Sequence, residues 1–289
     1  MSRYAFRILV FLSFLFAFVP VQSAYCLDGK TLQIKGSDTM VNLAQSWAEA
    51  FMENDPEASI AVTGGGSGTG IAAILSGTCD IAQSSRDLTS EEKAKAESTG
   101  APIRETVVAY DGIAVFVNTS NPVSQLTVAQ LSDIFSGKIQ NWKEVGGKDS
   151  PILVLSRERN SGTHVFFLEH VVRRGNAKAS EEFLPPALMM PSSQAIVEEV
   201  QTSEESIGYV GLGYVTENQK VLALAKDEKS PYVNPTSETV LNGEYPIARP
   251  LLFLTRGEAK STVKDFIDFV TGPKGQGIVE VLDFVPLKK

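Results

Sequence analysis

The chain is poor in the residues that most often do chemistry. Its 289 residues include two histidines, two cysteines and two tryptophans. His164 and His170 stand six positions apart, whereas a helical metal pair needs a spacing of three or four. No metal site is expected, and both read as ordinary helix residues. The serines occupy no Gly-x-Ser-x-Gly elbow, which speaks against a hydrolase nucleophile. A secreted phosphatase or esterase using His164, beside Thr163, is kept as an alternative. Two cysteines are too few for a disulfide framework. A bridge between Cys26 and Cys79 is one reading, and a small, buried, unbridged Cys79 is the other.

Positive charge is also in short supply. Lys and Arg number 26 against 34 Asp and Glu, for a net charge of −8. A chain this acidic is a poor general binder of nucleic acid or anionic membrane. Any anion it holds must be held by a local arrangement. Long apolar runs are lacking too, except for ILVFLSFLFAFVPV at 8–21, which follows Arg3 and Arg7 and precedes Ser23 and Ala24. That is the layout of a secretory leader. The run is shorter than the roughly 20 residues a spanning helix needs, and Pro20 interrupts it. Residues 1–24 are therefore expected to be a signal peptide, and the mature chain is expected in the periplasm with a net charge of about −10. Cys26 invites a lipid anchor, but Tyr25 is bulky for the position before a lipidated cysteine.

What is present is an alternation of short apolar strands and amphipathic helices, which predicts an α/β fold. TLQIKG (31–36), ASIAVTGG (58–65), CDIAQSS (79–85), VVAYDGIAVFVN (107–118), PILVLSR (151–157) and ARPLLFLT (248–255) read as strands. SIGYVGLGYV (206–215) reads as strand and turn. Met40, Leu43, Trp47 and Phe51 share one helical face. Thr89 with Glu92, and Thr127 with Gln130, are capping pairs. A helix is expected from Thr163 to Val172, and another over VKDFIDFV (263–270), stopped by Gly272 and Pro273.

Several strand ends share one grammar. GGGSGTGIAAIL (64–75) places Ser67-Gly68-Thr69 at a helix entrance. RERNSGTHVFF (157–167) places Ser161-Gly162-Thr163 at another, just after Arg157. Helix starts offer free N–H groups and a partial positive charge, and so favour anions. Arg adds planar, permanently charged donors. Lys35-Gly36-Ser37-Asp38-Thr39 and Ser84-Ser85-Arg86 end two more strands with hydroxyls. Neither a nucleotide P-loop nor a dinucleotide fingerprint fits, since no Gly-Lys-Ser/Thr follows and the strand after the Gly-rich turn ends without an acid. Ser76-Gly77-Thr78 is the same tripeptide after a helix, where carbonyls face outward; it is expected to be a stop signal only. Taken together, four hydroxyl-bearing strand ends favour one shared oxyanion.

KGSDTM, GGGSGTGIAAI, DIAQSSRDL, SRERNSGTHVFF, SIGYV, ARPLLFL and GQGIVEVLDFVPL, in that order, resemble the phosphate-binding subunit of phosphate ABC importers over nearly all of the mature chain. The resemblance implies a type II-like periplasmic-binding-protein fold, with two α/β lobes joined by hinge strands around a ligand cleft. Lobe one would hold 27–108 plus 248–289, and lobe two 109–247. It implies high-affinity binding of inorganic phosphate and docking on the membrane permease of an ABC importer. It also implies a monomer without cofactor, metal, catalytic activity or nucleic-acid partner. Sulfate or molybdate is the alternative ligand. Carried over position by position, the contacts would be Ser37, Thr39 and the Met40 backbone, then Ser67, then Ser85 and Arg86. Arg157, Ser161, Gly162 and Thr163 fit the family's Arg-x-x-x-Ser-Gly-Thr. One departure stands out. Better-known members of the family place an Asp at the position of Ser85, where it accepts the phosphate proton and so turns sulfate away. Asp111 in AYDGIAV is the expected substitute acceptor, with a turn-forming Asp as the other reading.

Overall fold

The computed structural model describes residues 31–287, apart from 99, 101 and 260. The expected leader, and Cys26 with its expected links to lipid or to Cys79, lie outside the described residues. Strand β1 (Leu32–Gly36) buries Leu32 and Ile34. A short turn at Asp38–Met40 leads into α1 (Val41–Asn54). The stripe Met40, Leu43, Trp47 and Phe51 is its buried face. β2 (Ile60–Thr63), α2 (Ser67–Ser76) and β3 (Ile81–Ser84) follow. Gly77 closes α2 at φ +72°, a left-handed position that glycine takes without strain, so Ser76-Gly77-Thr78 is the stop signal its place after a helix predicts.

Helix α3 (Ser90–Ser98) starts in the reciprocal Thr89–Glu92 cap, and β4 (Ile103–Val117) is one long strand. β5 (Gln125–Thr127) and α4 (Val128–Phe135) join through the Thr127–Gln130 capping box. β6 (Leu153–Arg157) feeds α5 (Gly162–Phe167), and the expected helix to Val172 is completed by a wider π turn at Leu168–Val172. β7 (Leu188–Met190), α6 (Ser193–Thr202), β8 (Ser206–Gly211), β9 (Lys220–Val221), β10 (Ala223–Ala225) and α7 (Ser237–Leu241) come next. β11 (Ala248–Arg256), α8 (Ser261–Thr271) and α9 (Pro273–Val281) end the described chain. Gly272 and Pro273 stop α8 as expected. Pro273 also opens α9, because a proline at the first helical position gives up only an N–H that had no partner there.

The strands run in the order β2-β1-β3-β11-β4-β8-β6-β7. β1 lies parallel to β2 and β3, and β6 lies parallel to β8 and β7. β11 and β4 run antiparallel to their neighbours between these two groups. β4 changes partner along its length. Residues 103–112 pair with β11, and Ile113–Val117 pair with β8. The apolar cores divide at the same place. One gathers buried residues from Ile113 to Ile247, with Val285. Another gathers residues from Leu32 to Ala109 and from Leu251 to Phe284. The result is a two-lobed α/β architecture with β4 and β11 crossing between the lobes.

Candidate anion-binding site

The carboxyl ends of β1, β3 and β6 meet where the lobes face each other. After β1, the Ser37 N–H donates to the Gln83 carbonyl at 2.8 Å, which turns the chain toward β3. The Ser37 hydroxyl then donates to Ser85 Oγ at 2.9 Å. Ser67 Oγ, in the first turn of α2, lies 3.3 Å from Ser85 Oγ and accepts the Ser85 N–H at 3.1 Å. From the other lobe, Thr163 Oγ1 meets Thr39 Oγ1 at 2.8 Å. Ser37, Thr39, Ser67, Ser85, Ser161, Gly162 and Thr163 are all buried. The two Ser-Gly-Thr entrances, separated in sequence, thus open onto each other.

Contact between the entrances is close. A Cβ added to Gly162 would sit 2.2 Å from Ser67 Oγ and 2.7 Å from Ser85 Oγ. Only a residue without a side chain fits there. The Gly68 N–H, at the start of α2, donates across to the Asn160 carbonyl at 3.0 Å, and Asn160 Nδ2 donates back to the Gly65 carbonyl at 2.9 Å. Gly66 caps α2 at φ +86°, and a Cβ on it would lie 2.6 Å from the Asn160 carbonyl oxygen. In lobe two, Ser161 is the cap; its Oγ accepts from the His164 N–H. The N–H groups of Gly162 and Thr163 point out of the helix start, as at any helix N-terminus.

Two guanidinium groups border the cluster. Arg157 is almost fully buried and anchored on every side. Nε donates to the Met190 carbonyl, Nη1 to Ser193 Oγ at 3.1 Å, and Nη2 to the Pro191 carbonyl and to Asp38 Oδ2 at 2.8 Å. Arg249 lies within the apolar strand β11. It stands directly opposite Asp111 in the β4–β11 pairing. Its Nε and Nη2 both donate to Asp111 Oδ2, at 3.1 and 2.8 Å, and Nη1 reaches the Ser85 carbonyl at 2.9 Å. Nη2 also donates to Thr163 Oγ1 at 3.0 Å and to Thr39 Oγ1 at 3.4 Å, so this hinge residue touches hydroxyls of both lobes. Its signal in the sequence was a lone arginine within an apolar strand, a position that burial makes costly unless the charge is paired.

Three expectations change. Arg86 does not turn its guanidinium to the cluster. It forms a two-point pair with Glu92, at 2.7 and 2.8 Å, and donates to the Asp87 carbonyl. The carboxylate that caps α3 is simply the nearer partner. Burial pushes the Glu92 carboxyl up, but the hydrogen bonds from Arg86 and Thr89 outweigh this and hold it below the usual range. The Met40 N–H is engaged with the Ser37 carbonyl at 3.1 Å, and its side chain lies in the lobe-one core. Asp111 is the counter-ion of Arg249. Its oxygens accept from Arg249 and from the Leu212 N–H at 3.0 Å, with no described hydrogen bond to the site hydroxyls. Burial pushes the Asp111 carboxyl up, and Arg249 draws it back. An arginine stays protonated in proteins, so Asp111 faces a fixed positive charge.

The histidines sit on α5 and on the π turn that follows it. His164 is buried, stacked on Phe183, and bonded through Nδ1 to Ser156 Oγ at 3.1 Å. Burial lowers its pKa to about 4. His170 stacks on Phe166. Neither ring is within reach of Ser161 Oγ or Ser67 Oγ by any described hydrogen bond. Cys79 is buried and free of a disulfide, and burial pushes its thiol up to about 11. Among the described residues no group of three or more His, Cys, Asp and Glu side chains could hold a metal ion, and no helix is long and apolar enough to cross a membrane.

Comparison with known proteins places this arrangement. Residues 27–274 match the model of the PBP superfamily domain. The phosphate-binding protein PstS of Bacillus subtilis strain 168 is 34% identical over 258 residues, covering 89% of this chain and 81% of that protein. The PstS of Pseudomonas aeruginosa PAO1 is 31% identical over 270 residues, covering 87% and 81%. Among solved structures, a protein from Clostridium perfringens assigned as a phosphate ABC transporter substrate-binding protein, with bound phosphate, is 36% identical. It superposes with a TM-score of 0.80 over 89% of this chain and 100% of that one. An ABC-type phosphate transport receptor from Vibrio cholerae is 31% identical, with a TM-score of 0.71 over 89% and 100%. With its crossing strands, facing helix entrances and these relatives, the chain belongs to the PBP superfamily of two-lobed binding proteins, among the PstS phosphate-binding proteins.

Proposed function

We propose that this chain binds inorganic phosphate as the extracytoplasmic component of a phosphate ABC importer. The observation that carries the reading is the convergence of Ser37, Thr39, Ser67, Ser85 and Thr163 from both lobes under the reach of Arg249. These hydroxyls bond to one another. A tetrahedral oxyanion entering among them exchanges neutral contacts for charge-assisted ones, which are shorter and roughly twice as strong. Each such bond contributes about 1.5–3 kcal/mol, and a micromolar complex needs about 8 kcal/mol. Several bonds therefore suffice without a metal. Ser161, Gly162 and Thr163 supply the helix start of lobe two, Ser67 that of lobe one, and Arg157 the anchored cation beside them.

Lobe one is taken as 27–108 plus 248–289 and lobe two as 109–247; the change of partner along β4 after Gly112 and the separate cores support a division close to this boundary. Room for the ion requires the lobes to part, and phosphate then shifts the population toward closure only as far as it prefers the closed form. The closed form docks on the membrane permease. The protein is read as a periplasmic monomer, without cofactor, catalysis or nucleic-acid partner. Binding is favoured over hydrolysis because the His164 ring is committed to Ser156 and Phe183.

Calorimetry on ligand-stripped protein tests the reading. One phosphate per chain with micromolar or tighter affinity is expected, weakened about 100-fold in Arg157→Ala, on the scale of a lost charge-assisted contact. Sulfate and molybdate are titrated alongside. Tighter binding of either, or steady turnover of p-nitrophenyl phosphate that Ser161→Ala abolishes, would displace phosphate binding as the function.

A further inference from the structure

Asp38 makes contacts that the hydroxyl cluster alone does not require. Its carboxylate lies between the lobes. Oδ1 accepts the Gly65 N–H at 2.8 Å, and Oδ2 accepts from Arg157 Nη2 at 2.8 Å. Its main-chain carbonyl accepts the Tyr214 hydroxyl at 2.6 Å. Gly65 and Asp38 come from the lobe-one side of the site, Arg157 and Tyr214 from the lobe-two side. A Cβ on Gly64 would fall 2.5 Å from Oδ1, so the Gly-rich loop is packed directly on this carboxylate. One side chain thus ties together the loop that carries Ser67 and the arginine that approaches from the opposite lobe.

The character of the contact matters as much as its place. The other bonds along this rim, between Asn160 and the Gly65 carbonyl and between the Gly68 N–H and the Asn160 carbonyl, are neutral. Water can replace them at little cost when the lobes part. The Asp38–Arg157 contact is ionic, with the arginine side chain 2% and the aspartate 19% exposed. Partial burial weakens screening and strengthens such a pair over its fully exposed counterpart. Arg157 has three further anchors on lobe two, the Met190 and Pro191 carbonyls and Ser193 Oγ, so its guanidinium cannot follow Asp38 when the lobes separate. Closure makes the pair and opening breaks it.

We propose that Asp38 is a positioning residue that latches the lobes: it fixes the Gly-rich loop, pairs with Arg157 across the cleft, and favours the closed form. The latch rests on contacts within the protein, while its effect on ligand release rests on the phosphate reading above.

The test separates the two. Spin labels at Lys93→Cys and Lys148→Cys, one on α3 and one on the lobe-two surface, report the interlobe distance without ligand. Asp38→Asn keeps the shape and removes the charge. Its distance distribution should move to longer values, and Arg157→Gln, which breaks the same contact from the other lobe, should reproduce the move. In stopped flow with inorganic phosphate, Asp38→Asn should release the ion about tenfold faster, on the scale of one charge-assisted bond, with little change in association rate. An unchanged distance distribution in either variant overturns the latch, as does tighter phosphate binding by Asp38→Asn. A shifted distribution in a protein whose parent binds no phosphate would uphold the latch and refute the phosphate reading instead.

Discussion

Ser67-Gly68-Thr69 and Ser161-Gly162-Thr163 are identical tripeptides at two helix entrances, yet they present different atoms to the site. In lobe one, Ser67 is the first helical residue, and its hydroxyl points to Ser85. Thr69 turns outward and donates to the Gly65 carbonyl at 2.6 Å. In lobe two the helix starts one residue later in the tripeptide. Ser161 becomes the cap, Gly162 faces the opposite lobe, and Thr163 reaches Thr39 and Arg249. An offset of one residue rotates a helix by about 100°, which is enough to exchange the inward and outward side chains. The cause lies just upstream. Gly66 provides no side-chain cap, so α2 starts at Ser67; Asn160 precedes a serine that can cap, so α5 starts at Gly162. The shared tripeptide marks an entrance, and the cap decides what the entrance offers.

The largest expected effect lies between the entrances, at the hinge. Arg249→Ala leaves Asp111 fully buried without its cation, a change that costs about 3–5 kcal/mol. Urea unfolding should show a loss of that size in Arg249→Ala and a smaller one in Arg157→Ala, whose partner Asp38 is partly exposed. Equal losses would mean that the hinge pair is not what holds the two entrances together.

The next effect sets the entrances apart by pH. The third helical residue is Thr69 in lobe one and His164 in lobe two. His164 is neutral in the folded protein, with its pKa near 4, against an ordinary value near 6.5 when unfolded. The unfolded chain therefore takes up the proton first. The stabilisation is complete above about pH 6.5 and is lost as the pH falls toward 4, by up to about 3 kcal/mol. His164→Gln should flatten the fall in melting temperature between pH 7 and pH 5. A slope identical to that of the parent would show that this helix start carries no such sensitivity.

The smallest effect is the sharpest on the comparison itself. Thr163→Val removes an inward hydroxyl and should weaken phosphate binding about tenfold, the scale of one buried hydrogen bond. Thr69→Val removes the outward one and should leave the calorimetric titration unchanged. Similar losses in both would erase the one-residue offset.

Much of this was legible in the residues. The Thr89–Glu92 and Thr127–Gln130 caps, the stop at Gly77 and the buried stripe of α1 all follow from neighbours within a turn or two. Helix α9 went unread because Gly272-Pro273 signals both a stop and a start. Of the expected contacts, Ser37, Thr39, Ser67, Ser85, Gly162 and Thr163 meet in one cluster. The strand-end position of Arg86 says nothing about Glu92 waiting in the next helix, which takes its guanidinium.

By itself, the sequence determined the alternation of strands and helices, the helix caps and the existence of hydroxyl-bearing entrances. These depend on propensity, periodicity and hydrogen bonds between residues close along the chain. Tertiary structure alone decided which charges sit opposite each other. Arg249 meets Asp111 across 138 positions, and Arg157 meets Asp38 across 119. Such partners are chosen by strand order and lobe closure, because a buried charge must find whatever counter-charge the fold brings within hydrogen-bond distance.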